Sequence, residues 1–307
     1  MLASRIEYVA LVSSDPQLTA GVFEKHFGLP QQLCASEAGK VPLFRIGRSA
    51  LAVLPCGHPL VEGETKTGVH HIALGVQDPA LAARRANDAG PAGTLMAGLE
   101  GRRCVRVPRD ACAGVRVVLT EPLELAAHEG GVVERIDHLG VASTDVREDE
   151  QVFCGKFGFA VESRQTDMEV RMAVESFTSD KYGVVYHNRA PEPVGGLRVS
   201  FITVGDCELE FLANFDPRPG AQIEHGRAGS TRQDQGAITR FVESRGRGLH
   251  HVALKARAID ATLSGMARAG LPMIDTRGRP GSRRAMIGFP HPKATGGILM
   301  HLVQRDG

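Results

Sequence analysis

Tryptophan is absent from the 307-residue chain, tyrosine occurs three times and aromatic residues make up 5%, which is poor material for surfaces that stack on bases or sugar rings. An excess of one charge sign is also missing. Lys+Arg 36 against Asp+Glu 35 leaves a net charge of +1, without the electrostatic grip that phosphate backbones and anionic lipid surfaces require. Neither nucleic acid nor a membrane is therefore expected as a partner. No stretch approaches the ~18 apolar residues of a bilayer span, and Glu7 falls where a signal peptide would carry its apolar core, so a cytoplasmic location is expected. The six cysteines (Cys34, Cys56, Cys104, Cys112, Cys154, Cys207) include no C-x-x-C pair, which excludes a zinc ribbon or thioredoxin-like motif, and they read as reduced, mostly buried thiols. What is present, 42% hydrophobic and 23% charged residues, is the composition of a folded, water-soluble protein long enough for two domains or one large one.

The chain repeats itself. Four segments open alike: Arg5-Ile-Glu-Tyr-Val-Ala-Leu, Val69-His-His-Ile-Ala-Leu, Arg135-Ile-Asp-His-Leu-Gly-Val and Leu249-His-His-Val-Ala-Leu. Each runs into a polar turn with an aspartate (Asp15, Asp78, Asp145, Asp260) and then a helix-like stretch with apolar residues three and four apart. Gly28, Gly90, Gly158 and Gly270 stand where these helices should stop. Strand-like stretches close each unit, so the repeated element reads strand, helix, strands. Paired, the units make two halves that join near Pro122 to Gly131. The halves are unequal: 63 positions separate Tyr8 from His71, whereas 113 separate His138 from His251. The surplus falls in Glu162 to Gly196 and Pro217 to Gly248, where lids, binding loops or interface elements are expected.

Side chains alternate along a strand, so the faces can be read off. His138 is expected to share a face with Ile136 and Gly140, and Glu208 with Glu210. His251 shares one with Leu249 and Ala253 while His250 points away, and His301 shares one with Leu299 between the apolar Met300 and Leu302. A carboxylate such as Glu210 among Phe and Leu costs several kcal/mol unless a cation or donor meets it. Three histidines on comparable strands supply the other ligands of one ion.

These motifs resemble the vicinal oxygen chelate superfamily, which includes glyoxalase I, methylmalonyl-CoA epimerase and the extradiol ring-cleaving dioxygenases. The second half resembles methylmalonyl-CoA epimerase most, through Ile136-Asp-His-Leu-Gly-Val-Ala, Gly248-Leu-His-His-Val-Ala-Leu and His291-Pro-Lys-Ala-Thr-Gly-Gly-Ile-Leu. The resemblance implies an α+β fold of four βαβββ modules paired into two cup-shaped half-barrel domains, residues 1–125 and 132–307. It places the family's ligands on His138, Glu210 and His251; the fourth, usually Glu, falls on His301. The same positions in the first half are Tyr8, Ala52, His71 and Val118, which implies a metal-free, structural N-terminal cup.

Three imidazoles and a carboxylate suit one divalent ion of the Zn, Ni, Co, Mn or Fe(II) class better than Mg or Ca. Such an ion holds two adjacent oxygens of a small-molecule substrate, a keto acid or an acyl-CoA thioester, and stabilises an enolate. A metal-dependent epimerase or isomerase is the leading reading, with an Fe(II) ring-cleaving dioxygenase and a non-catalytic small-molecule binding protein as alternatives. Glu208 is the first candidate base, and Tyr182, Tyr186 and His187 in the inserted segment are further candidates for proton transfer or gating. Arg279, Arg283, Arg284 and Lys293 are the candidates for holding a substrate carboxylate or CoA phosphates. A two-cup chain has less need to dimerise than a two-module one, and a homodimer stays open.

Overall fold

The computed structural model describes residues 1–87, 93–128, 130–217 and 236–305. The first half runs β1 (Ile6–Ser13), α1 (Pro16–Phe27), β2 (Gln31–Ser36), β3 (Gly39–Ile46) and β4 (Ser49–Pro55), then β5 (Gly68–Gly75), α2 (Pro79–Ala86), β6 (Thr94–Ala97), β7 (Arg103–Val107) and β8 (Val117–Thr120). The second half repeats it with additions: β9 (Val133–Ala142), α3 (Val146–Glu150), β10 (Ala160–Arg171), β11 (Val174–Ser179), β12 (Gly183–Asn188), β13 (Glu192–Val204) and β14 (Cys207–Phe215). There follow α4 (Ala237–Arg245), β15 (Gly248–Ala256), α5 (Ile259–Arg268), β16 (Arg279–Pro280), β17 (Met286–Gly288) and β18 (Met300–Gln304).

Each half is one eight-stranded sheet, ordered β2-β3-β4-β1-β5-β8-β7-β6 and β10-β13-β14-β9-β15-β18-β17-β16. Four βαβββ modules thus pair two by two, with the opening strands β1 and β5, and β9 and β15, antiparallel at the centre of each sheet. This is the expected α+β arrangement of two cups.

The aspartates cap three of the four helices. Asp15, Asp78 and Asp145 accept from the backbone N–H groups of Leu18, Leu81 and Arg147 at 3.0, 3.0 and 2.8 Å, satisfying donors that a helix start leaves orphaned. Asp260 differs: α5 begins two residues earlier than a cap at Asp260 would give, after Ala258, and the Asp260 carboxylate instead accepts from Gly278 N–H at 2.8 Å. Gly28 ends α1 at φ +68, in the left-handed region that glycine enters without steric cost. Gly90 lies outside the described residues. The first insertion extends β10 and β13 into an arm that carries the β11–β12 hairpin; of the second, residues 218–235 lie outside the described residues and the remainder contains α4.

One face of both sheets, together with α1, α2 and α5, builds a single apolar core. Phe153 meets Phe157 and Phe211 inside it, with ring centroids 5.2 and 5.0 Å away. Phe211 lies on β14 and is fully buried. Its truncation removes an aromatic ring from close-packed surroundings, so Phe211→Ala is expected to cost about 3–5 kcal/mol in urea unfolding; a loss below about 1 kcal/mol would mean that this core is not packed as described.

Candidate metal centre and cavity

Four adjacent strands, β14, β9, β15 and β18, bring the candidate ligands together. Along one rung Glu210 lies beside Gly140 and Gly140 beside His251; along the next, Glu208 lies beside His138, His138 beside Ala253 and Ala253 beside His301. Donors therefore alternate with the two smallest residues. Gly140 is required by close approach, because a Cβ there would stand 2.0 Å from Cε1 of the His251 ring. The ligand atoms of His138, His251 and His301 all lie within 4.8 Å of one another, and all three residues are buried. The Glu210 carboxylate faces Nε2 of His138 at 3.4 Å and Nε2 of His251 at 3.5 Å.

Strict alternation fails along the β9–β15 ladder, and the failures beside His251 and His138 serve the site. Register shifts interrupt the β9–β15 ladder between Leu249 and His251 and between Ala253 and Leu254. Ile136 and Leu249 consequently join the core on the helix side, away from His138 and His251, correcting the expectation that they share a face with them. Such bulges re-aim side chains. Asp137 is turned so that its carboxylate meets Nδ1 of His138 at 2.8 Å, and Arg305 and Arg135 hold it at 2.6 and 3.1 Å. Asp137 thereby fixes the His138 ring with Nε2 toward Glu210, the usual way an outer carboxylate orients a ligand imidazole. His250 also stays inward: its Nδ1 lies 3.0 Å from Nδ1 of His251, and it lines the same cavity.

Burial alone would push the Glu210 carboxyl up, but the charge at His138, the hydrogen bond from His251 and the charge on Arg283 outweigh it and hold it down to about 2. Burial pushes His251 below the usual imidazole range and His301 well below it, so both are neutral donors near pH 7. The Nδ1 of His301 is buried without a hydrogen bond, and its ring packs on Phe289 at 4.8 Å. Three buried imidazoles around one ionised carboxylate, with an orphaned ring nitrogen, fit a borderline divalent ion.

The cluster forms part of the wall of a cavity of about 500 Å³, whose other walls include Leu197, Phe201, Leu212, Ile238, Ile274 and Phe289. Of the proposed substrate-holding residues, Arg279 reaches this cavity, fixed by Asp275 at 3.2 Å and lying over the Phe289 ring at 5.1 Å. Arg283 covers Phe201 at 3.6 Å and pairs with Glu208 and Glu162. Arg284 and Lys293 are exposed and do not line it. Glu208 shares the concave face yet is held by Arg283 and, at 3.6 Å, by Arg305. Tyr182 lies in the turn of the β11–β12 hairpin, with Tyr186 and His187 on β12; all three are exposed and absent from the cavity wall. Asp137, Arg305, Phe289, His250 and Asp167 are the contributors that the sequence reading missed. Asp137 alone had a signal there, its place beside His138.

The first half repeats the geometry with different side chains. Ala52 lies beside Ala10 and Ala10 beside His71; Tyr8 lies beside Ala73 and Ala73 beside Val118. The positions equivalent to the four donors are thus Tyr8, Ala52, His71 and Val118, of which Tyr8, Ala52 and Val118 sit in an apolar cluster with Leu43, Leu54, Leu60 and Leu99. His71 meets the Tyr8 hydroxyl at 3.4 Å and Nδ1 of His70 at 2.9 Å. Burial first, then the Arg116, Arg106 and Arg109 charges, holds His70 down to about 3.

A family model of the Glyoxalase/Bleomycin resistance protein/Dioxygenase superfamily matches residues 137–289. The uncharacterized protein YqjC of Bacillus subtilis (strain 168) is 21% identical over 175 residues, covering 57% of this chain and 95% of that protein. Mouse mitochondrial methylmalonyl-CoA epimerase is 25% identical over 130 residues, covering 42% of this chain and 64% of the epimerase. A mutant of 4-hydroxymandelate synthase from Streptomyces coelicolor matches the fold with a TM-score of 0.63 at 17% identity, covering 100% of this chain and 94% of that one.

Two outcomes are expected. His251→Ala removes a donor from the cluster, so elemental analysis of protein purified without chelator should find its ion lost, while His71→Ala retains it; one equivalent in both variants would refute the assignment. His70 is neutral when folded and has its ordinary value of 6.5 when unfolded, so below pH 6.5 the unfolded chain binds the extra proton. Stability present above that pH should fall on acidification toward pH 3, by about 1.4 kcal/mol per pH unit from this group. Urea midpoints at pH 7 and pH 5 read it, and His70→Asn should flatten the difference; an identical pH dependence in the variant would disprove it.

Proposed function

We propose that this site serves a metal-dependent isomerase or epimerase, in a chain whose residues 137–289 match the glyoxalase/bleomycin resistance protein/dioxygenase superfamily. The observation that carries this reading is the convergence of three histidines and one ionised carboxylate on a cavity with mainly apolar walls. A divalent ion of the Zn, Ni, Co, Mn or Fe(II) class, held by His138, Glu210, His251 and His301, would supply Lewis acidity toward two adjacent substrate oxygens and stabilise the charge left when the neighbouring carbon loses its proton.

The remaining tasks fall to the chain itself. Asp137 and Arg305 fix the His138 ring. Phe201, Leu212, Ile238 and Phe289 exclude water from the reacting carbon, which strengthens every electrostatic interaction in the cavity. Arg279, braced by Asp275, receives a substrate carboxylate. Proton transfer needs a group that faces the cavity and is free of a cation. Glu208 is spent in its pairs with Arg283 and Arg305. Asp167 on β10 lines the cavity, accepts a hydrogen bond from Gln165 at 2.5 Å, and among the described residues has no arginine or lysine partner. Asp167 is thus the proton carrier in this reading, acting on a 2-keto acid or an acyl-CoA thioester.

The dioxygenase alternative draws on the likeness to 4-hydroxymandelate synthase, which concerns the fold alone. The donor set weighs against it: oxygen-activating iron sites use two histidines and one carboxylate, and His301 adds a further donor. Solvent-deuterium incorporation into 2-keto acids and acyl-CoA thioesters, with the protein loaded with each candidate metal, tests the proposal. Exchange at the α-carbon should be seen, vanish in His251→Ala and drop about 100-fold or more in Asp167→Asn, while Glu208→Gln keeps it. Oxygen uptake on catechols by the Fe(II) form, without exchange, would establish the dioxygenase instead, and tight ligand binding with neither activity would establish a binding protein.

A further inference from the structure

A second cavity, of about 160 Å³, lies where the two halves of the chain meet, between the start of β5, the Arg109–Arg116 segment and the C-terminal end of α4. Lys66, His70, Arg109, Arg116, Arg245 and Arg247 line it, against one carboxylate among the described residues, Glu64. Two of the cations are neutralised: Arg116 by Glu62 and Glu64, and Arg247 by Glu148 and Asp149. The other three meet backbone carbonyls instead. Lys66 donates to Ser244 O at 3.2 Å, Arg109 to Gly114 O and Arg247 O at 3.1 and 2.8 Å, and Arg245 to Thr67 O at 2.8 Å. Among the described residues no carboxylate pairs with them, and each guanidinium carries five N–H donors, more than these carbonyls use.

The buried polar atoms point the same way. Nε2 of His70, Nε of Arg116 and Nε of Arg247 are all buried without a hydrogen-bond partner, and all three residues line this cavity. His70 itself is 4% exposed. In the tautomer whose Nδ1 accepts from His71, its Nε2 carries a proton that makes no well-formed hydrogen bond, the Val61 backbone interacting with the ring only weakly. Buried donors left unmet are costly, and so is a concentration of uncompensated positive charge. One oxyanion relieves both. The close approach of the halves is itself built for this space: Gly114 sits at φ +84, and a Cβ there would stand 2.7 Å from Cβ of Arg247.

We propose that this junction is a binding site for a small oxyanion, a phosphate group held by Lys66, Arg109 and Arg245, with His70 as a neutral donor. It is independent of the reaction assigned to the larger cavity, yet α4 is a wall of both. Ala237 and Ile238 at its start line the larger cavity, Phe241 and Arg245 line this one, and Phe241 packs on His250 at 4.9 Å. Occupancy here therefore fixes the helix that closes one side of the candidate active site.

Isothermal titration of the full chain, stripped of metal by chelator, with inorganic phosphate tests the site. One equivalent should bind, more weakly as sodium chloride is raised, and Arg245→Gln and Lys66→Gln should each weaken it about tenfold with unchanged circular dichroism. His251→Ala should leave it as it is. Absence of saturable binding, equal affinity in both charge variants, or loss in His251→Ala, which would move the ion to the larger cavity, overturns the proposal. Tighter binding of a phosphate monoester such as AMP would assign the site to the end of a larger ligand, and tighter binding of the free ion to phosphate itself; both sustain it.

Discussion

A carboxylate that stays ionised in the interior constrains everything around it. Glu210 is 5% exposed and lies on a strand whose neighbouring side chains, Leu209 and Phe211, fill the core. The cost of desolvating such a charge is several kcal/mol, and it is met by imidazoles on the next strands, which are in turn held by Asp137, Arg305 and His250. Those contacts need the His251 ring to lie over β9, which only Gly140 permits. The small residue beneath the His251 ring and the second layer of charges thus both serve one buried anion. A cation at its centre is the simplest partner for such an assembly.

Much of this was legible in the primary structure because the repeats are themselves structural units. The four openings at Arg5, Val69, Arg135 and Leu249 became the central strands, three of the aspartates became caps, and the residue-by-residue transfer from His138, Glu210, His251 and His301 to Tyr8, Ala52, His71 and Val118 is reproduced by the strand register. Period-two alternation misled at Ile136 and Leu249, since a bulge inserts one residue and exchanges faces beyond it. No periodicity reveals a bulge, so the turning of Asp137 and His250 toward the histidines they adjoin could not be read from sequence. The basic loop was equally opaque: Arg279, Arg283, Arg284 and Lys293 look alike in a row, and only packing separates the one on the cavity wall from one bound to Glu208 and two that face outward.

The His-Pro-Lys…Gly-Gly run shows how a specific motif can be structural. His291 caps its turn by accepting from Lys293 N–H at 3.1 Å, and Gly296 O receives the N–H of Ser14 at 3.0 Å. A Cβ on Gly296 would stand 2.0 Å from the Ser13 hydroxyl, and one on Gly297 2.3 Å from that of Thr67. The motif therefore docks the last strand of one half against the first strand and helix of the other. Its specificity comes from the crowding of that contact.

The difference between the two cups follows from what fills them. In the first half the short connection between β4 and β5 folds Leu60 and Val61 into the concave face, where Leu99 and Leu123 join them, and the space is closed by the protein's own side chains. In the second half the corresponding connection, between β14 and β15, carries α4, and Ile238 forms a wall with Phe201 and Leu212 instead of a plug. Opening a cup exposes its polar floor to solvent unless the rim is raised, which the extension of β10 and β13 accomplishes through Asp167 and Leu197. The extra residues of the second half and its candidate donors therefore belong together: the lengthened connections leave a cavity above the cluster, and where they are short the equivalent positions are Tyr8, Ala52, His71 and Val118 beneath apolar side chains.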